Sequence, residues 1–389
     1  MLPRMHGYQV SRSLRADGDL GRVKILVASA KSYAADIESA TAAGADAYLT
    51  KPYSAKALVE KVAELLSAPR VDASLPAEPE APTQTRRSQD LAPMSEAQAP
   101  AASDIRVCFW GTRGSCPAPG SDTVRYGGNT ACTELRFGDT LIIVDCGSGI
   151  RMLGQSLMRE FKGKPIEGHI FVGHTHWDHI QGFPFFVPLY IARNRFNVYS
   201  VSGAGKSLER VFRGQMAADY FPVPLKSLAC ELQFVELEGP VKIGPVTAKY
   251  HFLNHPGVAI GFRFEAHGKA ITYLSDHETF VRLNGVSEVT RKQDADVVEF
   301  CRGSDILICE AQYTEEEYQL KRGWGHSTFY DAVERGIASG SRHLVIFHHE
   351  PVHTDDQMDG FLEEARRKIR EAGSSLECSM ALEGMVLKL

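Results

Sequence analysis

The stretch GHTHWDHIQG, residues 173–182, places three imidazoles and one carboxylate within six positions: His174, His176, Asp178 and His179. The apolar run HIFVG at 169–173 predicts a strand that ends here, followed by a helix that opens at Asp178. Because alternate residues of an extended strand share a side, His174 and His176 would face one centre, and the next pair a second centre. Imidazole and carboxylate without thiolate suit Zn²⁺, and also Mn²⁺ or Fe²⁺. The stretch therefore predicts a site for two divalent metal ions.

Further candidate ligands follow apolar, strand-like runs later in the chain. They are His255 in FLNHPG, Asp276 in ITYLSDH and His348 in VIFHHEP, with His349 as the alternative to His348. A residue just after a strand is rigidly placed and still open to a cleft. Asp145, in LIIVDCGSG, occupies the same kind of position. These positions predict that several strand ends supply one site.

This series of motifs resembles the metallo-β-lactamase superfamily, over roughly residues 104–389. The resemblance implies an α/β fold, the αββα sandwich, and a metal-dependent hydrolase. It implies that seven side chains hold two metals. The first metal would be held by His174, His176 and His255, and the second by Asp178, His179 and His348. Asp276 and a hydroxide would bridge the two metals. Asp145 would orient a ligand from behind. The match to the family's final motif favours His348 over His349.

Two later segments, ICEAQYTEEE (308–317) and GWGHST (323–328), are similar to segments of ribonuclease Z and its phosphodiesterase relatives. The likeness implies that His326 acts as general acid or phosphate ligand and that Glu310 orients and charges it. Asp178 would belong to the catalytic set as well as to the metal site.

A structural alternative exists for the same segment. Ser327 or Thr328 could serve only to cap the helix predicted for TFYDAVERGIAS. Both roles are compatible with a catalytic His326.

The predicted reaction is hydrolysis of a small or cyclic phosphodiester. Ribonuclease Z carries a basic, Gly/Pro-rich arm that grips tRNA, and the chain has no clear equivalent of it. The inserts FPFFVPLYIARNRFNVYS (183–200) and RGQMAADYFPVPL (213–225) are aromatic and proline-rich instead, which favours a lid over a small ligand or a packed interface. The alternatives are a hydrolase of a carbonyl ester, lactone or thioester, a ribonuclease Z-like RNA endonuclease, and a metal-stabilised signalling module without turnover.

Residues 1–68 resemble the C-terminal half of a response-regulator receiver domain, a flavodoxin-like fold. Strands are predicted at 23–29 and 46–51, and helices around 31–43 and 54–67. By resemblance, Ser29 is the switch hydroxyl, Tyr48 the switch aromatic and Lys51 the phosphoryl-contacting lysine, with a Lys51–Pro52 bond that is often cis in the family.

The phosphoacceptor half of a receiver is missing from this sequence. Its aspartate would fall just before Met1, so the sequence as written is not expected to accept a phosphoryl group. Either the true start lies upstream, or the remnant is a dimerisation patch or a marginally stable appendage. The resemblance implies a homodimer or a link to a histidine-kinase pathway, as in two-component signalling.

Residues 69–103 are rich in Ala, Pro, Glu, Gln and Ser and predict a flexible, disordered linker, because they can bury little apolar surface.

The hydrolase region, 104–389, carries the whole net charge of −5, which argues against a large nucleic-acid partner. Eight scattered cysteines without a CxxC pair indicate reduced thiols. No apolar run predicts a signal peptide or a membrane span, so we expect a cytoplasmic protein without a membrane partner.

Overall fold

The computed structural model describes residues 7–17, 20, 22–29, 32, 34–67, 85–87, 105–202 and 207–389. Residues 105–389 form two sheets packed face to face, with helices on both outer faces. This arrangement confirms the predicted αββα sandwich. Within the described ranges, no helix is both long enough and apolar enough to cross a membrane.

The N-terminal part contains two short parallel strands and three helices. In chain order they are α1 (Gly7–Ala16), β1 (Leu26–Ser29), α2 (Ala34–Ala42), β2 (Ala47–Thr50) and α3 (Ala55–Ser67). The alternation of strand and helix agrees with the prediction from the sequence. Ser29 pairs with Thr50 at the end of the two strands, and the Lys51–Pro52 peptide bond is cis.

The remaining elements are short strands, some of them in consecutive runs, and helices. They are β3 (Thr85–Arg87), β4 (Ile105–Gly111), β5 (Cys132–Phe137), β6 (Thr140–Val144), α4 (Ile150–Phe161), β7 (Glu167–Phe171), α5 (Trp177–Ile180), β8 (Arg195–Ser200), α6 (Leu208–Gln215), β9 (Glu231–Glu236), β10 (Val241–Ile243), β11 (Val246–Phe252), β12 (Ile260–Ala266), β13 (Lys269–Leu274), α7 (Phe280–Asn284), α8 (Glu288–Phe300), β14 (Ile306–Glu310), α9 (Glu315–Lys321), α10 (Phe329–Ala338), β15 (His343–Phe347), α11 (Asp355–Glu371), β16 (Glu377–Met380) and β17 (Val386–Lys388).

One part of the expected linker departs from the prediction. Residues 85–87 form β3, which pairs in parallel with β9 as an edge strand of the first sheet. The linker prediction rested on the lack of apolar side chains, whereas pairing at a sheet edge uses backbone groups that every non-proline residue carries. Residues 69–84 and 88–103 lie outside the described residues. The domain division at 68 and 103 stays a prediction.

The first sheet has the strand order β17-β4-β5-β6-β7-β8-β9-β3, and the second β10-β11-β12-β13-β14-β15-β16. The inner faces of both sheets share one apolar core. Phe171 of the first sheet stacks on Tyr199 with ring centroids 4.6 Å apart and meets Phe262 of the second sheet edge-on at 5.2 Å. Separate cores lie beneath α4 and α6 and beneath α8, α10 and α11.

Strand direction decides where polar side chains can gather. β6 and β7 run parallel in the first sheet, and β13, β14 and β15 run parallel in the second. Parallel strands bring their carboxyl ends to one edge of a sheet, where side chains from different strands can meet. All candidate ligands predicted from the sequence follow strands at this edge.

Candidate metal centre

The first group of candidate ligands combines both sheets. His174, His176, His255 and Asp276 offer ligand atoms that all lie within 4.8 Å of one another. His255 Nε2 is 3.0 Å from His176 Nδ1 and 3.7 Å from Asp276 Oδ2. His174, His255 and Asp276 are buried, while His176 is exposed. The group is therefore open to solvent on the side of His176.

The second group shares Asp276 with the first. Asp178, His179, Asp276 and His348 are all buried and also lie within 4.8 Å of one another. His348 Nε2 is 3.1 Å from Asp178 Oδ2 and 3.2 Å from Asp276 Oδ1. The two oxygens of Asp276 thus face different groups, as a carboxylate that bridges two cations would require.

The structure brings together all seven side chains that the family resemblance implied as ligands. His349, the alternative to His348, lies elsewhere: its Nε2 contacts the carbonyl oxygen of Ala381 at 2.7 Å. His348 itself has a left-handed backbone (φ 63°), which turns its ring into the centre directly after β15. Backbone geometry therefore places His348, rather than His349, in the site.

The imidazoles are oriented from behind by contacts at the ring nitrogen that faces away from the centre. His174 Nδ1 contacts Ser275 Oγ at 3.2 Å, and His255 Nδ1 contacts the Gly325 carbonyl oxygen at 2.8 Å. His348 Nδ1 contacts Gln312 Oε1 at 3.1 Å. Such contacts fix which nitrogen carries the proton and leave the other free to bind a metal.

Asp145 performs this task for His179. Its Oδ2 lies 2.8 Å from His179 Nδ1 and accepts the Tyr273 hydroxyl at 2.7 Å, while Oδ1 accepts the backbone N–H of Gly173 at 2.8 Å. Asp145 also has a left-handed backbone (φ 64°), which aspartate tolerates better than most residues. The position behind the second group is the one that the resemblance implied for this aspartate.

The electrostatics of the centre suit cations. Burial lowers the pKa of His174 and of His255, which favours the neutral imidazole that binds metals. Burial would also lower the pKa of His179, but the carboxylates of Asp276, Asp178 and Asp145 outweigh it and raise that pKa. A buried excess of carboxylate around neutral imidazoles is stabilised by positive charge.

Buried polar atoms without hydrogen-bond partners also indicate a cation site. His174 Nε2 and Asp276 Oδ1 are buried without a hydrogen-bond partner among the described residues. Ligand nitrogen and oxygen atoms from five residues face one another at 3.0–3.7 Å, which arranges them around common points. The residues present therefore fit two divalent metal ions, with ligand types that suit Zn²⁺, Mn²⁺ or Fe²⁺.

His326 lies directly against the two groups. Its ring stacks on His348 (5.3 Å between centroids) and meets His255 edge-on (5.2 Å). Nδ1 lies 3.6 Å from Glu310 Oε2 and 4.0 Å from Asp276 Oδ2. Burial would lower the pKa of His326, but the interactions with Glu310 and Asp276 outweigh it and raise the pKa to about 8.

Glu310, the last residue of β14, is fully buried and held by backbone. Its Oε1 accepts the N–H groups of Ser327 (2.7 Å) and His277 (3.3 Å), which directs Oε2 toward His326. Burial raises the pKa of Glu310. The pair can hold a proton next to the metal centre.

The helix-capping alternative also holds. Thr328 is the N-cap of α10, and its side chain accepts from the N–H of Asp331. The cap fixes the start of the helix immediately after His326, so capping and positioning of the histidine are parts of one local structure.

Several residues of the site were not foreseen from the sequence. Ser275 and Gly325 contact candidate ligands from behind, and Tyr273 donates to Asp145. The backbone N–H of Ser115 donates to Asp178 Oδ2 at 2.7 Å. Gln312 lies in the segment that drew attention to Glu310, and its place two residues after that strand end was a usable signal. The others carry no signal, because tertiary packing alone brings them to the ligands.

Comparison with known proteins identifies the family. The family model described as "Beta-lactamase superfamily domain" matches residues 140–349, more than half of the chain. The chain belongs to the beta-lactamase superfamily. The match spans the ligand positions from Asp145 to His348, and it agrees with a metal-dependent hydrolase whose metal identity it leaves open. Residues 1–63 match the response regulator receiver domain, as the sequence predicted.

Curated relatives of this superfamily member are ribonuclease Z enzymes. That of Thermoplasma acidophilum is 23% identical over 310 residues, covering 70% of this chain and 95% of the relative. That of Pyrococcus furiosus is 26% identical over 284 residues, covering 64% of this chain and 87% of the relative.

Solved structures of the same fold include a metallo-β-lactamase fold protein, YhfI, from Bacillus subtilis (TM-score 0.53, 17% identity, 74% of this chain and 100% of that one). Unliganded yeast PDE1 is similar to a comparable extent (TM-score 0.51, 17% identity, 74% of this chain and 100% of that one). At these identities the likeness concerns the fold.

Proposed function

We propose that this superfamily member is a two-metal phosphodiesterase that acts on a small or cyclic phosphodiester. The observation that carries the proposal is the His326–Glu310 pair, which lies against both ligand groups and can hold a proton there. Zn²⁺ is the proposed metal, with Mn²⁺ and Fe²⁺ as alternatives. When bound, the two ions would supply Lewis acidity and an activated water molecule.

The side chains of the site would hold the ions and supply a proton. His174, His176 and His255 would hold the first ion, Asp178, His179 and His348 the second, and Asp276 both. Nδ1 of His326 faces Glu310 Oε2 at 3.6 Å, so Nε2 is the nitrogen that would donate a proton to the departing oxygen or contact the phosphoryl group. Burial would lower the pKa of His326, but Glu310 and Asp276 raise it, which favours the protonated imidazole that a general acid requires.

A second candidate is an RNA endonuclease. It is favoured by the relatives named ribonuclease Z, which match this chain over most of their own length. We place it second because the net charge of residues 104–389 is negative and the insert beside the site is aromatic rather than basic. A precursor tRNA belongs in the substrate panel for this reason.

The proposal is tested with bis-p-nitrophenyl phosphate and metal-loaded protein. We expect turnover in the wild type. His326→Ala should lose about 100-fold or more, because general acid catalysis contributes about 10²–10⁴-fold. His176→Ala should lose at least as much, because it removes a proposed metal ligand. His343→Ala is the matched control, since His343 begins the same strand that leads to His348 and lies at its opposite end.

The outcomes separate the candidate chemistries. Well-folded, metal-replete protein without turnover would overturn the phosphodiesterase proposal and direct attention to carbonyl esters, lactones and thioesters. Activity that survives His326→Ala but not His176→Ala would favour a carbonyl substrate, which needs no protonation by this histidine. Cleavage of precursor tRNA but of no small ester would favour the endonuclease.

For the N-terminal receiver part we propose a regulatory link to a phosphorelay, through a histidine kinase or through a homodimer. The support is the receiver match over residues 1–63 together with the contact that this part makes with the catalytic domain. Ser32 Oγ lies 3.0 Å from Asn284 Oδ1 at the end of α7, and Val258 packs against the small apolar core of the receiver part.

A further inference from the structure

Two of the three tryptophans of the chain are exposed beside the metal centre. Trp177 exposes 75% and Trp324 63% of its surface. The third, Trp110, is half-buried and donates its Nε1–H to Glu134 Oε2 at 2.8 Å. An indole is a large apolar surface that a protein usually packs or uses at a contact with another molecule. The exposure of two indoles therefore indicates a contact with another molecule.

Both tryptophans are direct neighbours in the sequence of residues at the first ligand group. Trp177 directly follows His176, the exposed ligand, and is the first residue of α5. Trp324 directly precedes Gly325, whose carbonyl oxygen contacts His255 Nδ1 at 2.8 Å. Because His176 Nδ1 and His255 Nε2 are 3.0 Å apart, the two tryptophans flank one pair of ligands.

The loop that carries Trp324 is fixed firmly. The backbone N–H groups of Gly323 and Gly325 donate to the two carboxylate oxygens of Glu278, at 2.9 and 3.0 Å. Both glycines have positive φ (89° and 93°), and a Cβ at Gly325 would lie 2.3 Å from His255 Nδ1. Only glycine fits there, so the backbone approaches the ligand closely and holds Trp324 at a defined place in solvent.

We infer that Trp177 and Trp324 form a stacking subsite for a nucleobase of the substrate, on the open side of the first ligand group. The inference rests on the proposed function, in which the phosphodiester lies at the metal centre. An aromatic surface next to a phosphate site suits a nucleotide, since every base has a π-face that can stack on an indole. Stacking does not distinguish one base from another, so the subsite selects nucleotides as a class.

Two esters with the same leaving group test this subsite. Thymidine 5′-(p-nitrophenyl phosphate) carries a base, whereas methyl p-nitrophenyl phosphate does not. We expect Trp177→Ala and Trp324→Ala to raise KM for the thymidine ester by about tenfold and to leave its kcat nearly unchanged. Both constants for the methyl ester should also stay nearly unchanged. Trp177→Phe and Trp324→Phe keep an aromatic face and should stay close to the wild type. Val386→Ala, an exposed apolar position on β17, is the control.

A binding measurement separates this inference from the proposed function. Thymidine 5′-monophosphate is titrated calorimetrically into metal-loaded wild type and Trp324→Ala, and the metal content of each variant is measured by mass spectrometry. If neither ester is cleaved, the proposed function fails, while about tenfold weaker nucleotide binding by the variant still supports the subsite. Equal nucleotide binding by the wild type and Trp324→Ala would overturn the subsite. Equal losses of activity on both esters, with unchanged metal content, would also overturn it.

Discussion

At the scale of single residues, the amide of Gln312 connects the candidate ligand His348 to the surrounding loops. Its Oε1 accepts from His348 Nδ1, and its Nε2 donates to Ser115 Oγ (3.1 Å) and to the Glu350 carboxylate. Glu350 in turn pairs with Lys321 at 2.8 Å. The amide therefore fixes both the tautomer and the direction of the His348 ring.

We predict that Gln312→Leu weakens metal binding at the second ligand group about 10- to 100-fold, because the ring of His348 loses its support. The first group, which does not contact Gln312, should bind as before. A zinc titration against a chromophoric chelator measures both affinities.

Gln357→Leu is the matched control, since Gln357 belongs to the capping box of α11. Two unchanged affinities in Gln312→Leu would contradict the assigned role.

The gathering of the candidate ligands could be predicted from sequence, while the contacts behind them could not. His174 and His176 stand out because metal-binding residue types are rare at such spacing, and Asp276 because it follows an apolar strand. Ser275 contacts His174 and Tyr273 contacts Asp145 only because two sheets dock, and their residue types are common everywhere. A local pattern cannot encode a contact between residues 128 positions apart, such as Tyr273 with Asp145.

At the scale of elements, one arginine joins three helices near the His326–Glu310 pair. Arg282 of α7 binds Glu315 of α9 through two hydrogen bonds (2.7 and 2.8 Å) and Asp331 of α10 at 2.6 Å. Both carboxylates lie in the first turns of their helices, where negative charge is favourable. The arginine thereby holds together the two helices that flank the segment with His326.

We predict that Arg282→Met lowers the free energy of unfolding by roughly 1–2 kcal/mol at pH 7, a value reduced for partial exposure. Burial would raise the pKa of Glu315, but its hydrogen bonds with Arg282 and Thr328 lower it. A carboxylate with a lowered pKa stabilises the fold above its unfolded pKa, and this contribution disappears as the pH falls through the folded value.

The difference between wild type and variant should therefore shrink below about pH 4.5, the ordinary pKa of glutamate. Denaturant unfolding of metal-free protein at several pH values measures it. Arg302→Met, which removes an exposed pair with Glu299, should change stability little at any pH. A constant difference across the pH range would show that packing, rather than charge, carries the effect.

Element boundaries followed from sequence where hydrophobic periodicity was strong. The helix predicted around 54–67 is observed as Ala55–Ser67, and the strand predicted at 46–51 as Ala47–Thr50. β3 was missed because an edge strand of three polar residues leaves no periodic pattern. Short strands defined by backbone pairing alone lie beyond what side-chain patterns can indicate.

At the scale of the whole molecule, the metal centre joins the two sheets. His174 and His179 follow a strand of the first sheet, whereas His255, Asp276 and His348 follow strands of the second. Ions bound between them would stabilise the folded state, because the separated sheets lack a complete ligand set.

We predict that chelation of the metals lowers the Tm by about 5 °C or more, since binding at 100 times Kd contributes about 2.7 kcal/mol per site. Differential scanning calorimetry with and without chelator measures the change. His343→Ala should show the same decrease as wild type, and His176→Ala a smaller one. An unchanged Tm after verified metal removal would mean that the ions do not couple the sheets.

The order of the ligands along the chain also has a consequence for biosynthesis. His348 follows His174 by 174 residues. Ribosomes add about 5–20 residues per second, so roughly 10–35 s separate the synthesis of these two histidines. During that interval a nascent chain carries a growing but incomplete set of donors. The first group is complete once Asp276 has been made, and the second only after the last long stretch. The donor set of the first group is therefore completed earlier in synthesis than that of the second.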